Sequence, residues 1–369
     1  MPTIRVHLPA DAATGDSDRS YDIVIGAGVV GGIGAAVAGT GGRRGVVIAD
    51  ASVARTHAAG VIDSLRAAGV ESVPLEVASG EASKSVDGAA RLWSGMASHA
   101  VDRQTHVVAV GGGVVGDLAG FVAATFARGI PVWQVPTTLV AQVDSSIGGK
   151  TGINLDAGKN LVGCFWQPRG VFADTDTLAT LPSREFTSGL AEVVKYGMIL
   201  DAGFFSWLET NAGPLRGRDP AAVVHAVERS AALKAHVVER DERERTGLRA
   251  ALNYGHTFAH AFETACGYGT LLHGEAVAIG MACAARLAAR LGRIGSDVVT
   301  RQDAVLAACG LPLGVPRFDA SAEDLLAIMA RDKKSVGGKL RFVLPSRIGH
   351  VELVDGVAPD LVREILSHG

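Results

Sequence analysis

The hydrophobic period of this chain changes once, near Leu181-Pro182, and that change does most to limit the folds open to it. Before it, short β-branched runs at 21–25, 46–49, 72–77, 106–110, 132–135 and 170–173 alternate with alanine-rich segments. Strands of four to six apolar residues spaced by helix-length segments predict a parallel sheet covered on both faces. After it, helical stretches run over 185–199, 221–244, 248–266 and 275–291. Segments 339–344 and 348–354 flank Pro345-Ser346-Arg347 and predict a hairpin, followed by a last helix from about Pro359. An α/β domain over 1–181 and a mostly α-helical domain over 182–369 are therefore expected.

A length of 369 residues with 48% apolar and 20% charged content allows two buried cores. The net charge of -3 and the lack of a long basic run exclude a general attraction to nucleic acid or to an anionic membrane, so any anion binding must be local. The first twenty residues lack the apolar stretch of a secretory peptide, and no run of 18 apolar residues follows. A cytoplasmic protein is expected. Cys164, Cys266, Cys283 and Cys309 are scattered without a Cys-x-x-Cys pair and read as reduced core thiols.

Two glycine turns compete for a dinucleotide. Gly26-Ala-Gly28-Val-Val-Gly31 follows a strand and matches the Rossmann fingerprint, with Asp50 ending the next strand. Gly111-Gly112-Gly113-Val114-Val115-Gly116-Asp117 also follows a strand, and three successive glycines let backbone amides approach a pyrophosphate at a helix start. The second turn is preferred, because a long polar segment over 137–154, continuing to Lys159-Asn160, has chemistry to match. That segment reads as a ligand loop, with Lys150 and Lys159 as point charges for phosphate and Asp144 as a hydroxyl acceptor or base. Asp50 suits a ribose hydroxyl and would repel the extra phosphate of NADP, so NAD is favoured.

In the second half, Arg249, Asn253, His256 and His260 are spaced by four, three and four residues, which on one helix returns them to one face. Leu252, Phe258, Ala259 and Phe262 bury the segment, so a cation, an amide and two imidazoles need an internal partner. Glu192 and Lys195 sit three apart on another apolar helix, and His273 opens a third. Two histidines and one carboxylate suit a zinc ion with an open position. The spacing of His256 and His260 would let both ligate one ion, and the residues alone leave that choice open.

Taken together, Gly80-Glu-Ala-Ser-Lys84 and the segments 111–121, 136–154, 158–160, 188–197, 241–260 and 273–281 resemble the 3-dehydroquinate synthase family almost end to end. The resemblance implies a dehydroquinate synthase-like fold: a Rossmann-like NAD-binding domain, then a helical domain binding metal and substrate. It implies a divalent ion, zinc with cobalt as second choice, held by Glu192, His256 and His273. It places Asp50, Gly80, Glu81, Lys84, Gly113, Val114, Val115, Gly116, Asp117, Thr137, Thr138, Lys159, Thr177, Leu178, Ala179 and Thr180 around NAD. The turn at 26–31 is left without a nucleotide role. Lys195, His260, Asp144, Lys150 and Asn253 fall on catalytic positions, and Asn160, Lys234 and Arg249 on substrate positions. Arg128 resembles an arginine given to a neighbouring subunit in a homodimer, and Lys333 or Lys334 reaches a phosphate. Ala259 stands where the family usually has glycine, and the run 241–247 is one residue longer than usual; neither removes a reacting group.

The implied reaction converts 3-deoxy-D-arabino-heptulosonate 7-phosphate to 3-dehydroquinate and phosphate by transient oxidation, elimination, re-reduction and aldol closure. Rivals are an aminodehydroquinate synthase, a 2-epi-5-epi-valiolone synthase and a metal-dependent polyol dehydrogenase. Lys234 and Arg249 together favour a carboxylate-bearing substrate over the valiolone reaction.

Overall fold

The computed structural model describes residues 1–10, 18–267, 270–315, 320–331 and 340–368. By contacts the chain forms two compact units, Met1–Leu181 with Ser230–Arg243, and Pro182–Arg229 with Glu244–Gly369.

The first unit runs β1 (Thr3–Val6), β2 (Tyr21–Gly26), α1 (Ile33–Gly39), β3 (Arg44–Asp50), α2 (His57–Ala67), β4 (Glu71–Val77), α3 (Val86–Ser98), β5 (His106–Gly111), α4 (Gly113–Thr125), β6 (Val132–Pro136), β7 (Lys150–Leu155), β8 (Gly158–Phe165) and β9 (Gly170–Asp174). Seven strands form one sheet in the order β1-β2-β9-β6-β5-β3-β4, and β7 pairs with β8 in a separate hairpin. Only β1, against β2, is antiparallel within the large sheet. The β-branched runs make strands because both faces are covered, and their alternation splits the core in two. Val46 and Ile48 pack with Leu92, Met96 and Leu118 of α3 and α4, whereas Val47 and Ala49 pack with Ile33, Val61 and Leu65 of α1 and α2. From β3 the chain moves outward to β4, and from β5 it moves the other way to β6. Strand order thus reverses between β3 and β5, the place where open α/β sheets bind ligands at their carboxyl ends.

The second unit holds α5 (Ser183–Leu200), α6 (Ala202–Arg216) and the start of α7 (Pro220–Arg240), whose residues from Ser230 onward pack with the first unit. It continues with α8 (His256–Cys266), α9 (His273–Arg290), α10 (Ser296–Ala308), α11 (Ala322–Arg331), the hairpin β10 (Arg341–Arg347) and β11 (His350–Asp355), and α12 (Pro359–His368).

Four local expectations are corrected. The stretch 248–266 is not one helix: Leu248–Asn253 is a 3-10 turn, and α8 starts only after Gly255 at φ +80°. A side chain at Gly255 would meet Met281 N at 2.8 Å and Val277 O at 3.0 Å, so close packing against α9 forces the break. The helix expected over 221–244 ends at Arg240, and the chain beyond it turns through left-handed Glu244 (φ +55°) and Gly247 (φ +85°). The segment 137–154 is not a loop throughout but holds a π turn, Ala141–Ser145, followed by β7, with Val143, Ile147 and Ile153 buried. Gln142 is buried with its amide nitrogen donating to the carbonyls of Pro136 (3.2 Å) and Asp174 (2.8 Å). Pro345-Ser346-Arg347 lies within β10, where the register shifts, and the reversal falls instead at left-handed Gly349. The four cysteines are free thiols, Cys283 and Cys309 buried and Cys164 and Cys266 half-buried.

Candidate metal centre and cofactor turn

In the second unit, α5 carries Glu192 and Lys195 on its buried side, with 0% and 1% of their surfaces exposed. One turn before Glu192, Ser188 Oγ accepts a hydrogen bond from Gly274 N (3.0 Å), which fixes the start of α9 beside α5. His273, the first residue of α9, is thereby brought to Glu192, with Nε2 3.6 Å from Oε1. The break at Gly255 makes His256 the first residue of α8 and sets its Nε2 3.7 Å from the same oxygen. These gaps are close to the edge of about 3.4 Å expected for a tetrahedron with metal bonds of ~2.1 Å. Among the described residues, Glu192, His256 and His273 form the set of donors lying within 4.8 Å of one another.

The surroundings fit a cation. Lys195 makes an ion pair with Glu192. Burial opposes a charge on His273, but Glu192 and Glu263 on opposite ring nitrogens hold its pKa up to about 10. Two carboxylates thus gather positive charge at this imidazole, and a divalent ion could replace the proton. His256 directs its other nitrogen, Nδ1, to the carbonyl of Tyr254 at 3.1 Å.

His260 lies outside the donor set, one turn along α8, with its ring centroid 5.8 Å from that of His256 and nearly perpendicular to it. Of the two histidines between which spacing left the choice open, His256 is the one whose ring nitrogen lies with Glu192 and His273. Arg249 and Asn253 share the 3-10 turn rather than the helix; Arg249 is 1% exposed, its Nε 3.8 Å from Glu244. Ala259 is fully buried, and its amide bonds Gly255 O at 3.0 Å, so the alanine is accommodated.

In the first unit, the carboxyl ends of β3 and β5 bring Asp50 beside Gly111, where a β-carbon would lie 3.4 Å from that of Asp50. Asp50 Oδ1 accepts from Ser52 N (2.8 Å), Ser52 Oγ (2.6 Å) and Ser79 Oγ (2.5 Å). Gly113, Val114, Val115, Gly116 and Asp117 form the opening of α4, which has no side-chain cap. Lys84 is buried and pairs with Asp117 at 2.5 Å; burial raises the pKa of Asp117, and Lys84 opposes the rise. Gly80 is left-handed at φ +100°, and Glu81 Oε1 accepts from Asn154 Nδ2 at 2.7 Å. Asn154 Oδ1 in turn accepts from Asn160 N (2.9 Å), while Lys150 and Lys159 stand exposed on β7 and β8. Thr137 N bonds Gly111 O (2.9 Å), and Thr138 packs against Gly112. Thr177, Leu178 and Ala179 lie in a 3-10 turn after β9, Thr175–Ala179, and Thr180 follows it, with Oγ1 2.7 Å from His57 Nε2. Lys234 of α7 meets Asp144 of the π turn at 2.5 Å. Arg128 follows Ala127 in a pair of left-handed non-glycine residues, φ +69° and +49°. Lys333 and Lys334 lie outside the described residues.

The other turn is occupied from within. Asp174, 4% exposed at the end of β9, accepts from Gly28 N (3.0 Å) and Val30 N (3.1 Å), so an internal carboxylate stands where a phosphate would. Residue reasoning missed both Asp174 and Glu263. Glu263 had a usable signal, since it continues the His256, His260 spacing by three residues; Asp174 had none.

The family descriptions "3-dehydroquinate synthase N-terminal" and "3-dehydroquinate synthase C-terminal" match residues 74–188 and 189–335. A 3-dehydroquinate synthase of Rhodopirellula baltica is 53% identical over 317 residues, 86% of this chain and 84% of that one. A solved 2-deoxy-scyllo-inosose synthase complexed with carbaglucose-6-phosphate, NAD+ and Co2+ superposes with a TM-score of 0.89 at 26% identity over all of both chains. A solved 2-epi-5-epi-valiolone synthase from Streptomyces hygroscopicus subsp. jinggangensis, with NAD+ and Zn2+ bound, gives 0.85 at 27% identity, covering 94% of this chain and 96% of that one. With the N- and C-terminal descriptions together matching 74–335 and a relative 53% identical over 86% of this chain, the chain belongs to the 3-dehydroquinate synthase family.

Proposed function

We propose that this chain converts 3-deoxy-D-arabino-heptulosonate 7-phosphate to 3-dehydroquinate and inorganic phosphate, as a carbon–oxygen lyase that carries NAD and a divalent metal ion. The observation that carries the reading is the convergence of Glu192, His256 and His273, with Lys195 bound to the same carboxylate, in a member of this family. The mixed nitrogen and oxygen donors suit zinc, and cobalt next. When bound, the ion supplies a Lewis acid for a substrate hydroxyl and NAD a reversible hydride acceptor.

The protein's own groups do the rest. Lys195, fixed by Glu192, presents an ammonium to the hydroxyl that is oxidised and steadies the oxygen as its proton leaves. His260, half-buried beside His256, holds the departing phosphate or moves a proton to it, with Asn253 orienting the same group. Arg249 is a buried cation with the planar geometry to fix a carboxylate, which selects the face attacked in ring closure. In the first unit, Asp144, paired with Lys234, serves as hydroxyl acceptor, and Lys234 adds a second cation for the acid group. Lys150, Asn160 and one of Lys333 and Lys334 take phosphate oxygens. The amides opening α4 receive the cofactor pyrophosphate, and Asp50, with Oδ1 already filled by serine donors, offers Oδ2 to the ribose. We further propose a cytoplasmic homodimer, in which the strained Arg128 serves the neighbouring subunit.

The test is to incubate the full chain with the heptulosonate phosphate, NAD and zinc and to identify the product by NMR. The expected product is 3-dehydroquinate with one phosphate released for each molecule formed. An oxidised, still phosphorylated sugar acid accompanied by reduced nicotinamide would overturn the proposal in favour of a dehydrogenase.

A further inference from the structure

The two histidines of the donor set are oriented in different ways. His256 gives Nδ1–H to a backbone carbonyl, that of Tyr254, which no substitution removes. His273 has a carboxylate there: Glu263 Oε1 lies 3.4 Å from Nδ1. Glu192 stands at Nε2 of the same ring, 3.6 Å away. The two imidazole nitrogens point apart, so Glu263 cannot bind the ion that Nε2 faces; it acts through His273.

Glu263 is not the residue that caps α9. The amide at the start of α9 is capped by Glu275, whose Oε2 accepts from Leu272 N at 2.9 Å. Glu263 instead follows His256 and His260 along the same face of α8, with its side chain only 11% exposed. A carboxylate behind a metal-facing histidine fixes the tautomer and the ring plane.

We propose that Glu263 is a positioning residue of the metal centre, which accepts the Nδ1 proton of His273 and so keeps Nε2 turned to a divalent cation. The inference rests on the reading of Glu192, His256 and His273 as metal ligands. It predicts that the affinity for the ion depends on a residue that never touches it. Substitution of such a partner typically weakens metal binding by roughly 10–100-fold.

The experiment titrates metal-free full chain with Zn2+ against a chromophoric chelator for the unaltered protein, Glu263→Gln, Glu263→Ala and His273→Ala. Thermal unfolding of each metal-free variant and the visible spectrum of each Co2+-loaded one are recorded in parallel. Expected are a Kd raised roughly 10–100-fold in Glu263→Gln, a larger rise in Glu263→Ala and an altered cobalt spectrum, with Glu263→Gln unfolding as the parent does. Glu263→Gln keeps the shape of the side chain and preserves the test if Glu263→Ala does not fold. If Glu263→Gln binds zinc within twofold of the parent while His273→Ala does not bind, the positioning role is refuted and the ligand set stands. If His273→Ala also binds normally, the ligand set itself is refuted.

Discussion

The turns after β2 and β5 carry nearly the same residues, Gly26-Ala-Gly-Val-Val-Gly31 and Gly111-Gly-Gly-Val-Val-Gly116, yet the fold gives them different surroundings. The first leads from β2, away from the reversal of strand order, and its amides at Gly28 and Val30 are taken by Asp174. The second sits at that reversal, beside Asp50, and opens α4 without a side-chain cap. A glycine pattern shows only that backbone can come close to an anion. Topology decides whether the anion is a ligand or a carboxylate of the protein itself.

That contrast can be broken most strongly at Asp174. Asp174→Ala removes the acceptor from the amides of Gly28, Val30 and Asp176 in a buried setting. It is predicted to cost about 3 kcal/mol in chemical denaturation, with the NAD Kd within twofold of the parent. A variant that lost NAD affinity but not stability would return the first turn to the cofactor. Next, Gly113→Val places a side chain 2.8 Å from Ser145 Oγ at the opening of α4. It is predicted to raise the NAD Kd by at least about tenfold, ~1.4 kcal/mol, in calorimetric titration; an unchanged value would remove the second turn from the cofactor site. The smallest effect is expected at Gly31, where an added β-carbon meets no atom within 4 Å. Gly31→Ala should shift stability by no more than about 0.5 kcal/mol and leave NAD binding alone, although the last glycine of a working fingerprint would not tolerate it.

What could be read from residues was what depends on local period. The six parallel strands fall where β-branched runs predict them, because short runs of Val and Ile bounded by turns mark strands locally. Glu192, Lys195, His256 and His273 stood out as polar groups in apolar helices, and the structure brings the three donors together. The misread features are tertiary. Nothing near Gly255 in sequence announces that α9 packs against it and splits the expected helix. The carboxylate that fills the first glycine turn lies 146 residues beyond Gly28. The segment 137–154 read as a loop because the backbone carbonyls that receive the Gln142 amide, those of Pro136 and Asp174, meet it only in the fold.

The cycle proposed for this chain regenerates NAD, and the ratio of phosphate released to NAD supplied measures that directly. With zinc-loaded protein, excess heptulosonate phosphate and NAD far below the substrate concentration, phosphate release should run to completion while absorbance of reduced nicotinamide stays flat. Phosphate release that stops after one equivalent of NAD, with reduced cofactor accumulating in step, would contradict it.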